Sequence, residues 1–136
     1  MRLFLMFVVM ACVLIPVGCG PNAAETTAPV RVPPLDLHWP VLLRDHATAT
    51  AYAGKKIRVR LDKDDYACEV VNGCCEVRVW ASHRNCTPAV VFLCEMPPDG
   101  HIVVVGTCRE PVRDGKWRSP RVDYCITVEN CSWYTR

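Results

Sequence analysis

Apolar and polar residues alternate through much of the chain beyond Gly54, which is the pattern of strands that bury one face. Residues 57–61 alternate apolar side chains with Arg58 and Arg60, and residues 121–129 (RVDYCITVE) form the longest alternating stretch. The apolar faces of these two predicted strands comprise Ile57, Val59, Leu61, Val122, Tyr124, Ile126 and Val128. Both segments are therefore expected to border the core, with the two arginines on the opposite face.

A hairpin is predicted at Asn72-Gly73, because both residues tolerate the positive φ of a two-residue turn. The turn joins residues 68–71 to residues 75–80, whose apolar face is Val77 and Val79. Such a hairpin supplies two neighbouring strands of one sheet.

Two further runs, residues 89–95 and 102–105, are apolar almost without interruption, as expected of the most buried strands. MPPDG, residues 96–100, connects them. Together with the segments above they give five or six short strands separated by turns. This spacing predicts an all-β fold, either a small barrel or a sandwich.

The residues that precede the strands follow other patterns. Residues 41–53 (VLLRDHATATAYA) are rich in alanine and leucine and predict a short helix that ends at Gly54. Prolines recur through residues 19–40, where they favour an extended tether over a helix or a sheet ladder. The chain of 136 residues is thus expected to fold as one domain over residues 41–136.

The N-terminus has the pattern of an export signal, a positive charge followed by a wholly apolar run over residues 3–15. The run is too short for a mature membrane-spanning helix. Val17-Gly18-Cys19 resembles a lipobox, in which the cysteine is acylated and becomes the new N-terminus, although Pro16 replaces the usual aliphatic residue. We interpret residues 1–18 as a lipoprotein signal peptide and Cys19 as the lipidation site. The alternative is an ordinary secretory signal cut within residues 20–24.

The cysteine count supports export. Ten cysteines are present, and removing Cys12 with the signal and Cys19 with the lipid leaves an even set of eight. Such a set predicts four disulfides in an oxidising compartment, with the connectivity left open. The candidates are Cys68, Cys74, Cys75, Cys86, Cys94, Cys108, Cys125 and Cys131. Cys74 and Cys75 are expected to take different partners, since a disulfide between neighbours strains the peptide bond.

Charge and metal-ligand spacing argue against several functions. The formal net charge is +2, so the chain as a whole has no strong attraction for nucleic acid or anionic membranes. No C-x-x-C pair occurs, although tetrahedral zinc sites usually take two ligands from one such turn. We therefore expect neither a metal nor another cofactor, and we do not expect nucleic acid as a partner.

Four segments together resemble the OB-fold family called tRNA_anti-like, many of whose members are predicted bacterial lipoproteins. They are AYAGKKIRVR (residues 51–60), VVFLCE (90–95), HIVVVGTC (101–108) and VDYCITVENC (122–131). The resemblance covers roughly residues 42–131. It implies a five- to six-stranded OB-like barrel with a short N-terminal helix, which the cysteine count would staple with disulfides. The lipoprotein members of that family have no established nucleic-acid role, so the resemblance implies none for this chain.

The candidate ligand-binding segment is residues 109–121 (REPVRDGKWRSPR), in which one tryptophan lies among five cations and two carboxylates. In an OB-fold this is the loop between the fourth and fifth strands, one of the two that usually contact oligonucleotides or oligosaccharides. An exposed tryptophan beside cations suits stacking on a sugar while an acidic group is neutralised. The predicted ligand-binding residues are Arg109, Arg113, Lys116, Trp117, Arg118 and Arg121. The alternative is a solvated hairpin turned at residues 114–115, with the tryptophan folded back on the barrel.

We predict no catalytic residue. Ser82 and His83 are adjacent and would point to opposite faces of a strand, and no nucleophile-elbow pattern is present. The acidic run over residues 62–65 lacks the longer ligand series and the glycine of a calcium loop.

The sequence therefore favours a lipid-anchored envelope protein, a binding or structural module without catalysis, held to a bacterial membrane through Cys19. That membrane is the outer one if the host has two. The expected partners are the membrane and an acidic glycan or an envelope protein. The alternative is a secreted cysteine-rich module that binds or inhibits another protein, with Trp117 as the anchoring residue.

Overall fold

A computed structural model of the protein describes residues 32–84 and 86–136. These residues form one mixed sheet, with two short helical segments between its first two strands. The elements are β1 (Leu35–Leu37), a 3₁₀-helix (Trp39–Leu43), α1 (His46–Ala51), β2 (Lys56–Leu61), β3 (Tyr66–Val71), β4 (Cys74–Val79), β5 (Val90–Cys94), β6 (Ile102–Cys108), β7 (Val112–Arg113) and β8 (Tyr124–Thr135). Within this described part of the chain, no helix is long and apolar enough to cross a membrane. The predicted signal peptide and Cys19 lie outside the described residues.

The sheet is mixed, and β8 lies at its centre. Its strands run in the order β1-β2-β6-β8-β5-β4-β3, and β7 pairs separately with β8. β8 is antiparallel to β6 and parallel to β5, while the β3–β4 and β4–β5 neighbours are antiparallel. The expected all-β class is thereby confirmed.

The strand faces are those that the alternation predicted. The apolar sets of residues 57–61 and 121–129 are buried, and the valines that follow the hairpin turn point inward with them. Asn72 and Gly73 take φ of 50° and 80°, the positive values that a two-residue hairpin turn needs. Burial of these branched and aromatic side chains supplies the main driving force for the fold.

The predicted helix over residues 41–53 divides into two segments at Asp45. The Asp45 side chain accepts a hydrogen bond from the Thr48 amide at 2.6 Å and so starts α1 as its N-cap. Gly54, with φ of +79°, follows the helical region as predicted. The hydroxyl of Tyr124 donates to the Leu42 carbonyl at 2.8 Å, which ties the 3₁₀-helix to the central strand.

β1 lies inside the segment predicted as a tether. It pairs in parallel with β2, and Asp36 lies opposite Arg58 at a distance of 3.4 Å between the carboxylate and the guanidinium. The prolines at 33 and 34 precede the strand, so they do not remove a ladder donor from it. The folded domain therefore begins before residue 41.

The eight cysteines of the described chain carry no disulfide. The predicted disulfide staple is thus not seen in this structure.

Gly106 marks an irregularity between β6 and β8. Val105 lies opposite Ser132 and Thr107 opposite Glu129, so two residues of β8 face this one glycine. A Cβ atom at position 106 would lie 2.6 Å from the Cys131 sulfur, 2.8 Å from Val128 and 2.9 Å from the Glu129 carbonyl. The bulge therefore requires a residue without a side chain on the facing strand.

We expect Gly106→Ala to lower the free energy of unfolding by about 1–3 kcal/mol, because the new methyl group overpacks against backbone as well as side chains. Urea denaturation followed by circular dichroism measures the change. Thr107→Ala, one residue along the same strand and half-buried, is the matched control and should cost clearly less. Equal stability of Gly106→Ala and the parent protein would contradict the bulge geometry.

Candidate functional site

The basic loop, residues 109–121, connects β6 to β8 and contains β7. β7 pairs antiparallel with Tyr124 and Cys125 at the start of β8. Gly115 has a φ of +76°, which glycine adopts without strain, and it follows Asp114 at the tip of β7. The chain therefore turns back at this point, and the loop forms an irregular hairpin against the sheet.

Arg118 lies inside the loop, with its side chain only 1% exposed. Its Nη1 and Nη2 donate to the two carboxylate oxygens of Asp114 at 2.8 and 2.5 Å. Its Nε donates to the Pro88 carbonyl at 2.8 Å, and Nη1 also donates to the Lys116 carbonyl at 3.0 Å. A buried charge is tolerated when it is paired and hydrogen-bonded in this way. The prediction of Arg118 as a ligand-facing cation is corrected accordingly, because the residue holds the loop together.

Trp117, the neighbour of Arg118, points the other way and is 67% exposed. The backbone beside it is held, since the Arg118 amide donates to the Val122 carbonyl at 2.7 Å. The Ser82 hydroxyl donates to the Arg118 carbonyl at 3.2 Å. An indole on a fixed backbone is therefore presented to solvent, in contrast to the alternative in which it folds back on the sheet.

Two of the predicted cations form ion pairs with carboxylates on β8 or just before it. Arg109 lies 3.3 Å from Glu129, and Arg113 lies 3.4 Å from Asp123. Both arginine side chains stay more than half exposed. Surface pairs of this kind contribute little to stability, so a ligand anion can replace the carboxylates at small cost.

The other two cations lie in the same half of the loop as the tryptophan. Lys116 and Arg121 are exposed, and neither has a carboxylate within 4 Å among the residues that the structure describes. Their backbone amides donate instead to side chains of the loop, Lys116 to Asp114 at 3.1 Å and Arg121 to Ser119 at 3.3 Å. The charge beside Trp117 is therefore positive and open to solvent.

An open depression borders the first half of the loop. Residues that follow the helical region and residues of the loop line it, namely Ala53, Gly54, Arg109, Glu110 and Val112. Val112 is 61% exposed, so the lining offers one apolar side chain together with the charged Arg109 and Glu110. This surface could seat one sugar-sized group next to the cations.

The side chains of the other sequence motifs make contacts within the fold. The Ser82 hydroxyl bonds to the loop backbone, whereas the His83 ring lies 3.4 Å from the Cys86 sulfur, so the two side chains serve different neighbours. Asp62 contacts His101 at 3.2 Å and also Arg136. Across residues 32–84 and 86–136, no three histidine, cysteine or acidic side chains form a group that could hold a metal ion.

Sequence reasoning missed the partners that shape the loop. Asp114 is four residues before Arg118, a spacing that could have suggested an ion pair across the turn. Pro88 is distant in sequence, and its carbonyl is brought to the loop only by the pairing of β5 with β8.

No protein-family model, curated protein or solved structure matches this chain. The resemblance to the tRNA_anti-like family therefore stays a prediction, and function has to be inferred from the chemistry of the loop itself.

The Arg118 guanidinium holds the pKa of Asp114 well below its ordinary value of 3.8, chiefly through its hydrogen bonds to that carboxylate. A lowered pKa contributes stability that is fully present above the unfolded value and is lost as pH falls through the folded value. The ion pair should therefore stabilise the loop at neutral pH and weaken below about pH 4.

We expect Asp114→Asn to lower the melting temperature at pH 7, and we expect the difference from the parent protein to shrink as pH falls below 3.8. Differential scanning calorimetry from pH 7 to pH 3 gives both quantities. Asp36→Asn, which removes a 79% exposed carboxylate from a looser pair, is the matched control and should change little. A difference in melting temperature between Asp114→Asn and the parent protein that stays constant from pH 7 to pH 3 would contradict a stabilising role for the Asp114 charge.

Proposed function

We propose that this chain is a non-catalytic binding module, anchored by lipid on Cys19 to a bacterial envelope, which captures an acidic glycan through the basic loop. The observation that carries the proposal is Trp117, exposed on a loop whose backbone is held by the buried Arg118–Asp114 pair. A fixed tryptophan loses little conformational freedom when a ligand stacks on it, so its contact area is converted efficiently into affinity.

We infer further that the sheet is an OB-like barrel. β2 and β3 are separated only by the turn at residues 62–65, where the Asp62 amide donates to the Asp65 carboxylate at 2.8 Å. Taken as two halves of one bent strand, they pair with β6 on one side and β4 on the other. The third and fifth strands of the resulting five, β5 and β8, are parallel. This order is the one expected for an OB-fold, and it supports the interpretation of the basic loop as the one between the fourth and fifth strands.

The glycan is favoured over nucleic acid for two reasons. An OB-fold binds oligonucleotides across the outer face of its second and third strands, which here are β4 and β5, and Glu76 of β4 lies on that face with Glu69 of β3 opposite it. Both carboxylates bond to the single cation Arg78, so the face offers no free positive charge for phosphates along those strands. An exported protein also meets polysaccharides far more often than nucleic acid.

The second candidate is a secreted, cysteine-rich module that docks onto another protein. Trp117 supports it as well, because an exposed tryptophan surrounded by charged residues is a common anchor in protein interfaces. A diacylglyceryl group on Cys19 separates the two candidates, since the lipid is required by the first and excluded by the second. In either case we propose that disulfides staple the barrel in an oxidising compartment.

We expect Trp117→Ala to weaken binding of oligogalacturonate, an oligosaccharide of uronic acids, by about tenfold, because one aromatic stacking contact is lost. Isothermal titration calorimetry measures the affinity, with a neutral dextran oligosaccharide as the ligand control. Tyr134→Ala removes a 52% exposed aromatic residue from the end of β8 and is the matched variant that should bind normally.

Binding should also weaken as salt is raised, since Lys116 and Arg121 act through charge. The same affinity in Trp117→Ala and the parent protein, or no measurable binding of the uronic acid oligosaccharide, would overturn the glycan proposal.

A further inference from the structure

A second group of cations lies outside the basic loop, on the outer face of the sheet. Arg58 and Arg60 are two residues apart on β2, so their side chains leave the strand on the same face. Val59 between them is fully buried, which places the two arginines on the side away from the core. Both line an open depression together with Asp36 and His38. The depression therefore brings two guanidinium groups and one imidazole to one surface.

Arg58 is only loosely paired in this depression. Its Nη1 donates to one oxygen of Asp36 at 3.4 Å, and the Asp36 side chain is itself 79% exposed. The Nε of Arg58 is shielded from solvent and has no hydrogen-bond partner among the residues that the structure describes. A shielded donor without a partner costs free energy. The guanidinium of Arg58 is therefore ready to exchange Asp36 for a better acceptor.

Arg118 shows how a guanidinium is fully satisfied in the same molecule. Two of its nitrogens donate to both oxygens of Asp114, at 2.8 and 2.5 Å, and its Nε donates to the Pro88 carbonyl. The planar fork of a guanidinium matches two oxygens of a carboxylate, sulfate or phosphate in this way. Arg58 receives one oxygen only, at the longer distance. A two-oxygen anion in the depression would supply both partners once the guanidinium turns toward it.

Arg60 and His38 add to the attraction for an anion. Both residues are exposed, and within residues 32–84 and 86–136 neither has a carboxylate within 4 Å. Arg60 supplies the second guanidinium, and the His38 ring supplies a nitrogen that can donate a hydrogen bond. The lining thus contains two arginines and one carboxylate, so its charge is positive.

A row of cations connects the depression to the basic loop. Lys56 is exposed and lies two residues before Arg58, on the same face of β2. The Cys108 amide donates to the Lys55 carbonyl at 2.9 Å, so the loop begins with Arg109 beside the start of β2. A strand rises by about 3.4 Å per residue, so successive cations along β2 are about 7 Å apart. A linear polyanion that meets the loop at Arg109 can therefore continue along β2 into the depression.

We propose that Arg58, Arg60 and His38 form a second anion-binding site, which takes a carboxylate or sulfate group. The group belongs to an acidic glycan chain whose other part is held by the basic loop. That a glycan is the source of the anion rests on the proposed function, whereas the affinity of the depression for the anion itself does not.

The first test uses inorganic sulfate, which probes the depression independently of any glycan. Two-dimensional NMR of the isotope-labelled full chain follows the arginine Nε–H signals while sulfate replaces chloride at constant ionic strength. We expect saturable shifts of the Arg58 and Arg60 signals, which Arg58→Gln and Arg60→Gln assign by their disappearance. Shifts that stay linear, or that are equally large at the exposed Arg44 outside the depression, would overturn the proposal.

The second test uses oligogalacturonates of two lengths, one too short to leave the loop and one long enough to reach the depression. We expect Arg60→Gln to weaken binding of the long oligomer about two- to fivefold, the contribution of one exposed charge, and to leave the short one unchanged. Isothermal titration calorimetry measures both affinities. Lys63→Gln removes an exposed charge from the turn after β2 and is the matched control that should bind both oligomers normally. Equal affinity of Arg60→Gln and the parent protein for the long oligomer would overturn the glycan as the source of the anion.

The two tests separate this site from the proposed function. If Trp117→Ala binds both oligomers normally while sulfate still saturates the Arg58 signal, the loop proposal fails and the anion site stands. If Trp117→Ala weakens binding but sulfate gives no saturable shift, the loop proposal stands and the anion site is overturned. Arg60 is exposed, so we expect Arg60→Gln to fold like the parent protein.

Discussion

The buried guanidinium of Arg118 determines the shape of the basic loop. A charge in this position has to be neutralised and hydrogen-bonded, and four bonds from Arg118 to Asp114, Pro88 and Lys116 meet that requirement. These bonds join the tip of the loop to its return segment and to the chain that leads into β5. Since Arg118 points inward, its neighbour Trp117 is left outside, and the exposed indole is a direct consequence of the buried ion pair.

β8 follows the basic loop and pairs with three other strands along its length. Its early part pairs with β7 and β5, and its later part pairs with β6. The bulge at Asn130 lies where these pairings overlap, opposite Gly106. One irregularity thus reverses the alternation of β8 and places Cys131 beside Cys94.

Local patterns were sufficient to predict the elements whose signals are local. The alternation of residues 57–61, the Asn72-Gly73 turn and the inward face of residues 122–128 are all as the sequence indicated, because period and turn chemistry depend on neighbours in the chain. β1 was missed because its ladder depends on β2, not on its own residues. The part of β8 beyond Glu129 was missed because the bulge breaks the period. Arg118 was wrongly predicted to face a ligand for a similar reason, because one of the groups that satisfies its buried guanidinium is the carbonyl of Pro88, which is distant in sequence.

Hydrogen–deuterium exchange on the parent protein and the Asp114→Asn variant tests most directly whether the ion pair holds Trp117 in place. The amide of Arg118, bonded to the Val122 carbonyl, reports the loop, and the amides of β6 report the sheet. We predict that the variant exchanges faster over residues 116–122 while β6 stays protected. Equal protection of the loop in both proteins would contradict this account, because the loop would then keep its shape without the Asp114 charge that pairs with Arg118.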